Sequence, residues 1–154
     1  MIEARLRELG LTLPEPTPPL FNYLPVVVWG DVAYVSGQLP RVDGEVRLTG
    51  RVGESVTLAQ AREAARLCVL QALAVLSQAL GSLDRIARLL KVTGFVSSAP
   101  DFFDQPKVVD AASELLVEIF GEAGQHARSA VGVTALPRNS PVEIELIVAL
   151  RRDA

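Results

Sequence analysis

The segment from Thr57 to Gly81 restricts the possible folds of this chain more than any other. Thr57 with Gln60 three positions later forms a capping box, and Gly81 is the residue type that ends helices, so one long helix is predicted. Its small side chains share a narrow arc that would let the helix lie close against a β-sheet: Ala61, Ala65, Cys68, Ala72, Val75 and Ala79. Three further apolar residues need cover from the N-terminal arm or from a second subunit: Leu67, Leu70 and Ala74.

Runs of β-forming residues on both sides of this helix predict the strands of a single sheet. The turn-like segment 137–141 predicts that the last two strands form a hairpin, and Gly94 is a candidate β-bulge. The order β-β-α-β-α-β-β indicates an α+β fold, with two helices packed on one face of the sheet. The predicted strands are 26–29, 32–36, 86–96, 128–136 and 142–150, and the second helix is 104–120.

Length and composition predict one domain. The chain has 154 residues, of which 49% are hydrophobic, enough to build a buried core. We predict a single domain over residues 1–154, in which residues 1–20 form a short helix and a proline-rich arm. The N-terminus does not resemble a signal peptide, and polar residues interrupt the apolar stretch 67–80, unlike in a membrane span. We therefore expect a cytoplasmic protein.

The charged and reactive residues argue against several classes of function. With a net charge of −3 and a pI of about 5.2, the chain lacks the basic field that attracts nucleic acid. The single cysteine, Cys68, excludes an internal disulfide and a Cys-rich zinc site, and its position on the small-residue arc favours a core role. The single histidine, His126, is either a proton carrier near neutral pH or, as is more common, a surface residue.

Arg128 and Glu143 are charged residues among apolar neighbours on the last two predicted strands. Each is either a solvated strand residue, half of a structural ion pair, or part of a site, since an unpaired charge in apolar surroundings is unfavourable. If the two strands pair as a hairpin, the two residues lie roughly 20 Å apart along the ladder. They can then serve one site only if that site joins two chains, which predicts an oligomer.

Several segments together resemble the RidA (YjgF) family over residues 23–152 in unbroken order. Tyr23, thirteen positions before Ser36, matches a tyrosine that the family has there. The N-terminal signature of the family is matched by SGQLP at 36–40. Its central strand and the approach to its second helix are matched by residues 95–96 and 101–102. Its C-terminal signature is matched by HARSAVGV at 126–133, LP at 136–137 and VEIE at 142–145.

The resemblance implies a mixed-sheet, chorismate-mutase-like fold assembled as a homotrimer with clefts between the subunits. The implied reaction is hydrolysis of reactive 2-imino or enamino acids to 2-keto acids and ammonia. In the deaminases of the family, an arginine at the position of Arg128 binds the substrate carboxylate, and a glutamate at the position of Glu143 orients or activates the attacking water. The resemblance also implies that backbone groups at Gly37 would contact the ligand and that Tyr23 would close an apolar wall, and it implies no metal or organic cofactor.

Two positions depart from the family pattern. Ala130 stands where the family often has Cys, Ser or Thr, so contacts there would run through the backbone. Asp110 aligns with an asparagine of the family's second helix, and an added carboxylate beside a carboxylate-binding arginine would weaken the binding of anionic substrates.

Two alternative functions stay open beside imine hydrolysis. Many similar proteins are labelled endoribonucleases, although the acidic pI and the single histidine weigh against that activity here. A non-catalytic regulatory trimer would bind a small ligand in the same clefts without turning it over.

Overall fold

A long helix and a five-stranded sheet dominate the computed structural model, which describes residues 1–152. Short 3-10 turns lie at Leu83–Arg85, Gly121–Gly124 and Pro137–Asn139. In chain order, the elements are α1 (Ile2–Glu8), β1 (Val26–Trp29), β2 (Val32–Gln38), β3 (Arg41–Val42), β4 (Glu45–Val46), α2 (Leu58–Leu80), β5 (Ile86–Ser97), α3 (Gln105–Phe120), β6 (Ala127–Val133) and β7 (Val142–Leu150).

The main sheet has the strand order β1-β2-β7-β5-β6, and β3 and β4 form a separate two-stranded sheet. β5 and β6 are parallel, whereas the other neighbouring strands of the main sheet are antiparallel. α2 packs on β7 and β2, and α3 packs on β5, β6 and α2. The α+β fold with one mixed sheet and two helices on one face is therefore confirmed.

The predicted hairpin of the last two strands is wrong. β5 lies between β6 and β7, so these two strands are not neighbours. The unit β5-α3-β6 is a crossover through a helix, which places β6 parallel to β5. β7 alternates between buried and half-buried residues along its whole length, and it takes the central position between β2 and β5.

α2 begins and ends where the sequence predicts. Thr57 Oγ1 accepts a hydrogen bond from the Gln60 backbone, the Gln60 side chain accepts one from the Thr57 backbone, and Gly81 ends the helix in a left-handed conformation. The small-residue arc is buried except for Ala79, which is exposed at the last turn. Ala74 is buried and Leu70 packs against the core within one chain, so only Leu67 of the three residues lines a surface groove.

The N-terminal segment contributes apolar side chains to the same core. Leu6 of α1 is buried, and α1 contacts α3 and the 3-10 turn at Leu83–Arg85. Four further side chains of this segment pack on the core cluster: Ile2, Leu9, Leu11 and Leu13.

Gly94 is not a bulge, contrary to the sequence-based prediction. It pairs in regular register with Ala130 on one side and Ile144 on the other. A Cβ atom at this position would collide with the Val109 side chain of α3. The glycine is therefore explained by close helix–sheet packing.

One described helix, α2, meets the length and apolarity that crossing a membrane would require, and most of its most apolar stretch is buried inside the fold. Burial of this kind is typical of the core helix of a globular domain, so the apolar composition of α2 is explained by packing.

Candidate functional site

Tyr23, Gly37 and Glu143 line one cavity of about 320 Å3. The proline-rich arm forms one wall through residues 17–21, and the end of β2 forms another. Arg41 and Arg138 also line the cavity, and the sequence did not single out either of them. Three of the residues proposed from the sequence therefore come together within a single chain.

The Glu143 carboxylate lies directly over Gly37. A Cβ atom at position 37 would lie 2.6 Å from Glu143 Oε1, which is closer than real Cβ contacts. The pairing of β2 with β7 shifts register between Val35 and Gln38, so Gly37 lies in a local irregularity of the ladder. Glycine at this position makes room for the glutamate, in addition to any contact with a ligand.

The electrostatics of Glu143 are those of a partly buried carboxylate. Burial raises its pKa from the ordinary value of 4.5, and the nearby Glu145 carboxylate raises the pKa further. Within residues 1–152, Glu143 forms no ion pair. A carboxylate in this state is a better proton acceptor near neutral pH than an ordinary glutamate.

Arg128 lies in a second polar cluster, next to α3. Its Nη1 donates to Asp110 Oδ1 at 2.6 Å and to Ser113 Oγ at 3.2 Å, and its Nη2 lies 3.4 Å from the Pro106 carbonyl oxygen. The ion-pair interpretation of Arg128 is therefore correct within the chain, with Asp110 as its partner. Ala130 follows on the same side of β6 and is half-buried.

The two clusters lie on opposite faces of the sheet. Arg128 pairs with Val92 of β5, which faces the helices, whereas Glu143 pairs with Phe95, three positions further along. Side chains three positions apart on a strand point to opposite faces. The conclusion that Arg128 and Glu143 cannot meet within one chain therefore holds, although the hairpin used to reach it does not exist.

His126 is tied into the Arg128 cluster. Its Nδ1 donates to the Gly124 carbonyl oxygen at 2.6 Å, so in the neutral ring Nε2 accepts from Ser113 Oγ, 2.9 Å away. The surface interpretation of this histidine is wrong, because it is half-buried and bonded on both ring nitrogens. Ser113 was missed, and the available signal was its position three residues after Asp110 on α3, which puts both on one helix face.

Cys68 is a core residue, as predicted. It is fully buried on α2, and its Sγ lies 3.7 Å from the Val142 carbonyl oxygen. Burial raises the pKa of its thiol, and the Glu143 carboxylate acts in the same direction. Within residues 1–152, no cluster of three or more His, Cys, Asp or Glu side chains could hold a metal ion.

Sequence comparison identifies a family. The family model described as "YjgF/chorismate_mutase-like, putative endoribonuclease" matches residues 3–150. The chain is also 43% identical over 150 residues to the protein TCP17 of Trypanosoma cruzi. The aligned region covers 97% of this chain and 94% of that protein.

Solved structures give the same result. The crystal structure of Atu1372 from Agrobacterium tumefaciens matches with a TM-score of 0.90 and 46% identity, over 97% of this chain and 92% of that one. Escherichia coli TdcF with bound serine matches with a TM-score of 0.61 and 25% identity, over 91% of this chain and 94% of that one.

Proposed function

The chain belongs to the YjgF/chorismate mutase-like family, and from that premise we propose that it hydrolyses 2-imino or enamino acids in clefts between the subunits of a homotrimer. The observation that carries this proposal is the Glu143 carboxylate. It is partly buried, has a raised pKa and lacks an ion-pair partner in residues 1–152, and it lines a cavity with Tyr23.

A base of this kind can activate a water molecule for attack on an imine carbon. The overall reaction is R–C(=NH2+)–COO− + H2O → R–CO–COO− + NH4+. The water oxygen forms the new bond to carbon, the carbon–nitrogen bond breaks, and the nitrogen leaves as ammonia after protonation. Glu143 accepts one proton from the attacking water and returns it to the nitrogen, and the second water proton passes from the hydroxyl of the tetrahedral intermediate to the released ammonia, which gives ammonium.

The substrate carboxylate needs a cation, which we assign to Arg128 of another subunit. Arg128 lies on β6, the last strand of the sheet, where the outer edge has no partner strand in the described chain. The open sheet face also carries large exposed apolar side chains, including Tyr34 and Val131. An edge strand and an apolar face are both surfaces that a second copy would cover.

A bound amino acid in a relative supports the ligand class. TdcF has been solved with serine, a small molecule with one carboxylate and one amino group. A 2-imino acid is a molecule of similar size that likewise carries a nitrogen on the carbon next to its carboxylate.

The family description also names an endoribonuclease. A ribonuclease requires cations along the RNA backbone, whereas this chain has a net charge of −3. A small-ligand regulator without turnover would use the same clefts.

One experiment separates these functions. The purified protein is incubated with freshly generated 2-iminobutanoate, and loss of the imine is followed beside a labelled RNA incubated with the same preparation. We expect faster imine loss, no RNA cleavage, and a trimer mass by light scattering. Imine loss at the uncatalysed rate, or a monomer at micromolar concentration, would contradict the proposal. RNA cleavage that disappears in Arg128→Ala would instead support the ribonuclease.

A further inference from the structure

The Arg128 guanidinium is already bound by a carboxylate of its own chain. Its Nη1 donates to Asp110 Oδ1 at 2.6 Å and to Ser113 Oγ at 3.2 Å. Ser113 Oγ is itself hydrogen-bonded to His126, whose other ring nitrogen donates to the Gly124 carbonyl oxygen. This network holds the Arg128–Asp110 pair in one geometry, so a ligand meets both charges together.

Part of each partner stays available to a ligand. The only hydrogen bond of Arg128 Nη2 in residues 1–152 is the long one of 3.4 Å to the Pro106 carbonyl oxygen, and Nε forms no hydrogen bond there. Asp110 Oδ2 forms none in the same range of residues, and half of the Asp110 side chain, 50%, is exposed. The cluster therefore presents one cationic edge and one anionic oxygen next to each other.

This arrangement distinguishes ligands by charge. A plain carboxylate that approaches Arg128 also meets the Asp110 carboxylate. A like charge within about 4–6 Å disfavours a charged group by about tenfold or more, so the plain carboxylate should bind more weakly than it would without Asp110. A ligand that carries a protonated nitrogen beside its carboxylate meets an opposite charge at each position. Its carboxylate accepts from Arg128, and its N–H donates to Asp110.

Resting on the function proposed above, we infer that Asp110 is a specificity-determining residue that makes the site prefer a zwitterion over a plain carboxylate. The protonated 2-imino acid is such a zwitterion. The 2-keto acid product has the carboxylate alone, and its carbonyl oxygen cannot donate to Asp110. The same residue therefore favours substrate over product and promotes product release.

The test compares two stable probes of equal chain length. L-2-Aminobutanoate represents the zwitterion and 2-oxobutanoate the plain carboxylate, and calorimetric titration at one ionic strength gives the dissociation constant of each. We expect the wild type to bind the amino acid more tightly. Asp110→Asn should bind the oxo acid about tenfold more tightly than the wild type and the amino acid more weakly, so that the preference inverts.

Glu114→Gln is the matched control. Glu114 lies on the same helix and pairs with a different arginine, Arg62, at 3.0 Å. The control loses the same charge from α3 but should keep the wild-type preference. Asp110→Ser is measured as well, so that the test does not depend on the folding of one variant.

The outcomes separate this inference from the proposed reaction. An unchanged ratio of the two dissociation constants in the folded Asp110 variants, or binding of neither probe to any variant, overturns the role of Asp110 even if imines are hydrolysed. An inverted preference in a protein that hydrolyses no imine supports the role of Asp110 and refutes the proposed reaction.

Discussion

The Glu143 cavity and the Arg128 cluster lie on opposite faces of one sheet, and they differ in how their charges are balanced. Glu143 is partly buried without an ion-pair partner in residues 1–152, and its pKa is raised. Arg128 has a carboxylate 2.6 Å away and a serine hydroxyl beside it. The first region holds a charge in an unfavourable state, whereas the second region satisfies its charge locally.

This difference indicates in which region the charged residues also contribute to the stability of the fold. A structural role accounts for the Arg128–Asp110 pair, because paired charges on a half-exposed surface are common. It does not account for Glu143, since a neutral residue would fit the cavity without the desolvation of a charge. Changes at Glu143 should therefore affect activity without a loss of stability, and changes at Arg128 should affect both.

The largest effect is expected for Glu143→Gln. Loss of the proton acceptor should lower kcat for imine hydrolysis by about 100- to 10,000-fold. The melting temperature should stay equal or rise, because the amide buries no charge. Glu145→Gln, two positions along the same strand, is the control and should keep most of the activity at pH 8. Comparable losses in the two variants would contradict the assignment of the base.

Arg128 variants should give the next largest effect. Arg128→Lys keeps the charge but loses the forked geometry, and Arg128→Ala loses both, so KM should rise by about 10- to 100-fold, with the larger rise in the alanine variant. The unfolding free energy should fall by about 1 kcal/mol or less, since the pair is partly exposed.

Arg62→Ala, which removes the pair between Arg62 of α2 and Glu114 of α3, is the comparison for Arg128. It should show a similar change in stability without a change in KM. An Arg128→Ala variant that folds and hydrolyses imines as fast as the parent would leave the Arg128 cluster a purely structural one.

Gly37→Ala tests whether the glycine acts through Glu143. The added Cβ would displace Glu143 Oε1, which lies 2.6 Å from that position, so kcat should fall by about tenfold because the base is misplaced. Added to Glu143→Gln, the same change should cause no further loss. A second, independent loss in the double variant would mean that Gly37 acts by contact with the ligand instead.

The smallest expected effect is a shift in the pH profile. In the proposed mechanism the ionised form of Glu143 is the active one, and its pKa is raised, so kcat/KM should increase with pH with a midpoint above 4.5. Glu145→Gln removes the second cause and should move that midpoint downward, while burial, the first cause, remains. An unmoved midpoint in Glu145→Gln would assign the whole rise of the Glu143 pKa to burial.

The contribution of Glu143 to the stability of the fold has the opposite pH dependence to the activity. It is present at low pH and is lost as pH rises through the raised pKa.

Elements with local signals were predicted well. The capping box at Thr57 and Gln60 and the left-handed Gly81 specify the ends of α2 through contacts within a few residues. The alternation along β7 likewise follows from a period of two in the sequence. The prediction of a bulge at Gly94 failed because the reason for that glycine is Val109 on another element, 15 positions away in the sequence.

The sequence by itself determined the helices, the five strands of the main sheet and the fold class, and its family resemblance pointed to candidate residues in both clusters: Tyr23, Gly37, Asp110, Arg128, Ala130 and Glu143. Only the tertiary structure decided that β5 separates β6 from β7, and that Asp110 and Ser113 bind the guanidinium of Arg128. Local patterns encode which face of an element is buried, because that depends on neighbours along the chain. They do not encode which elements become neighbours in space, and both the strand order and the partner of each charge depend on that.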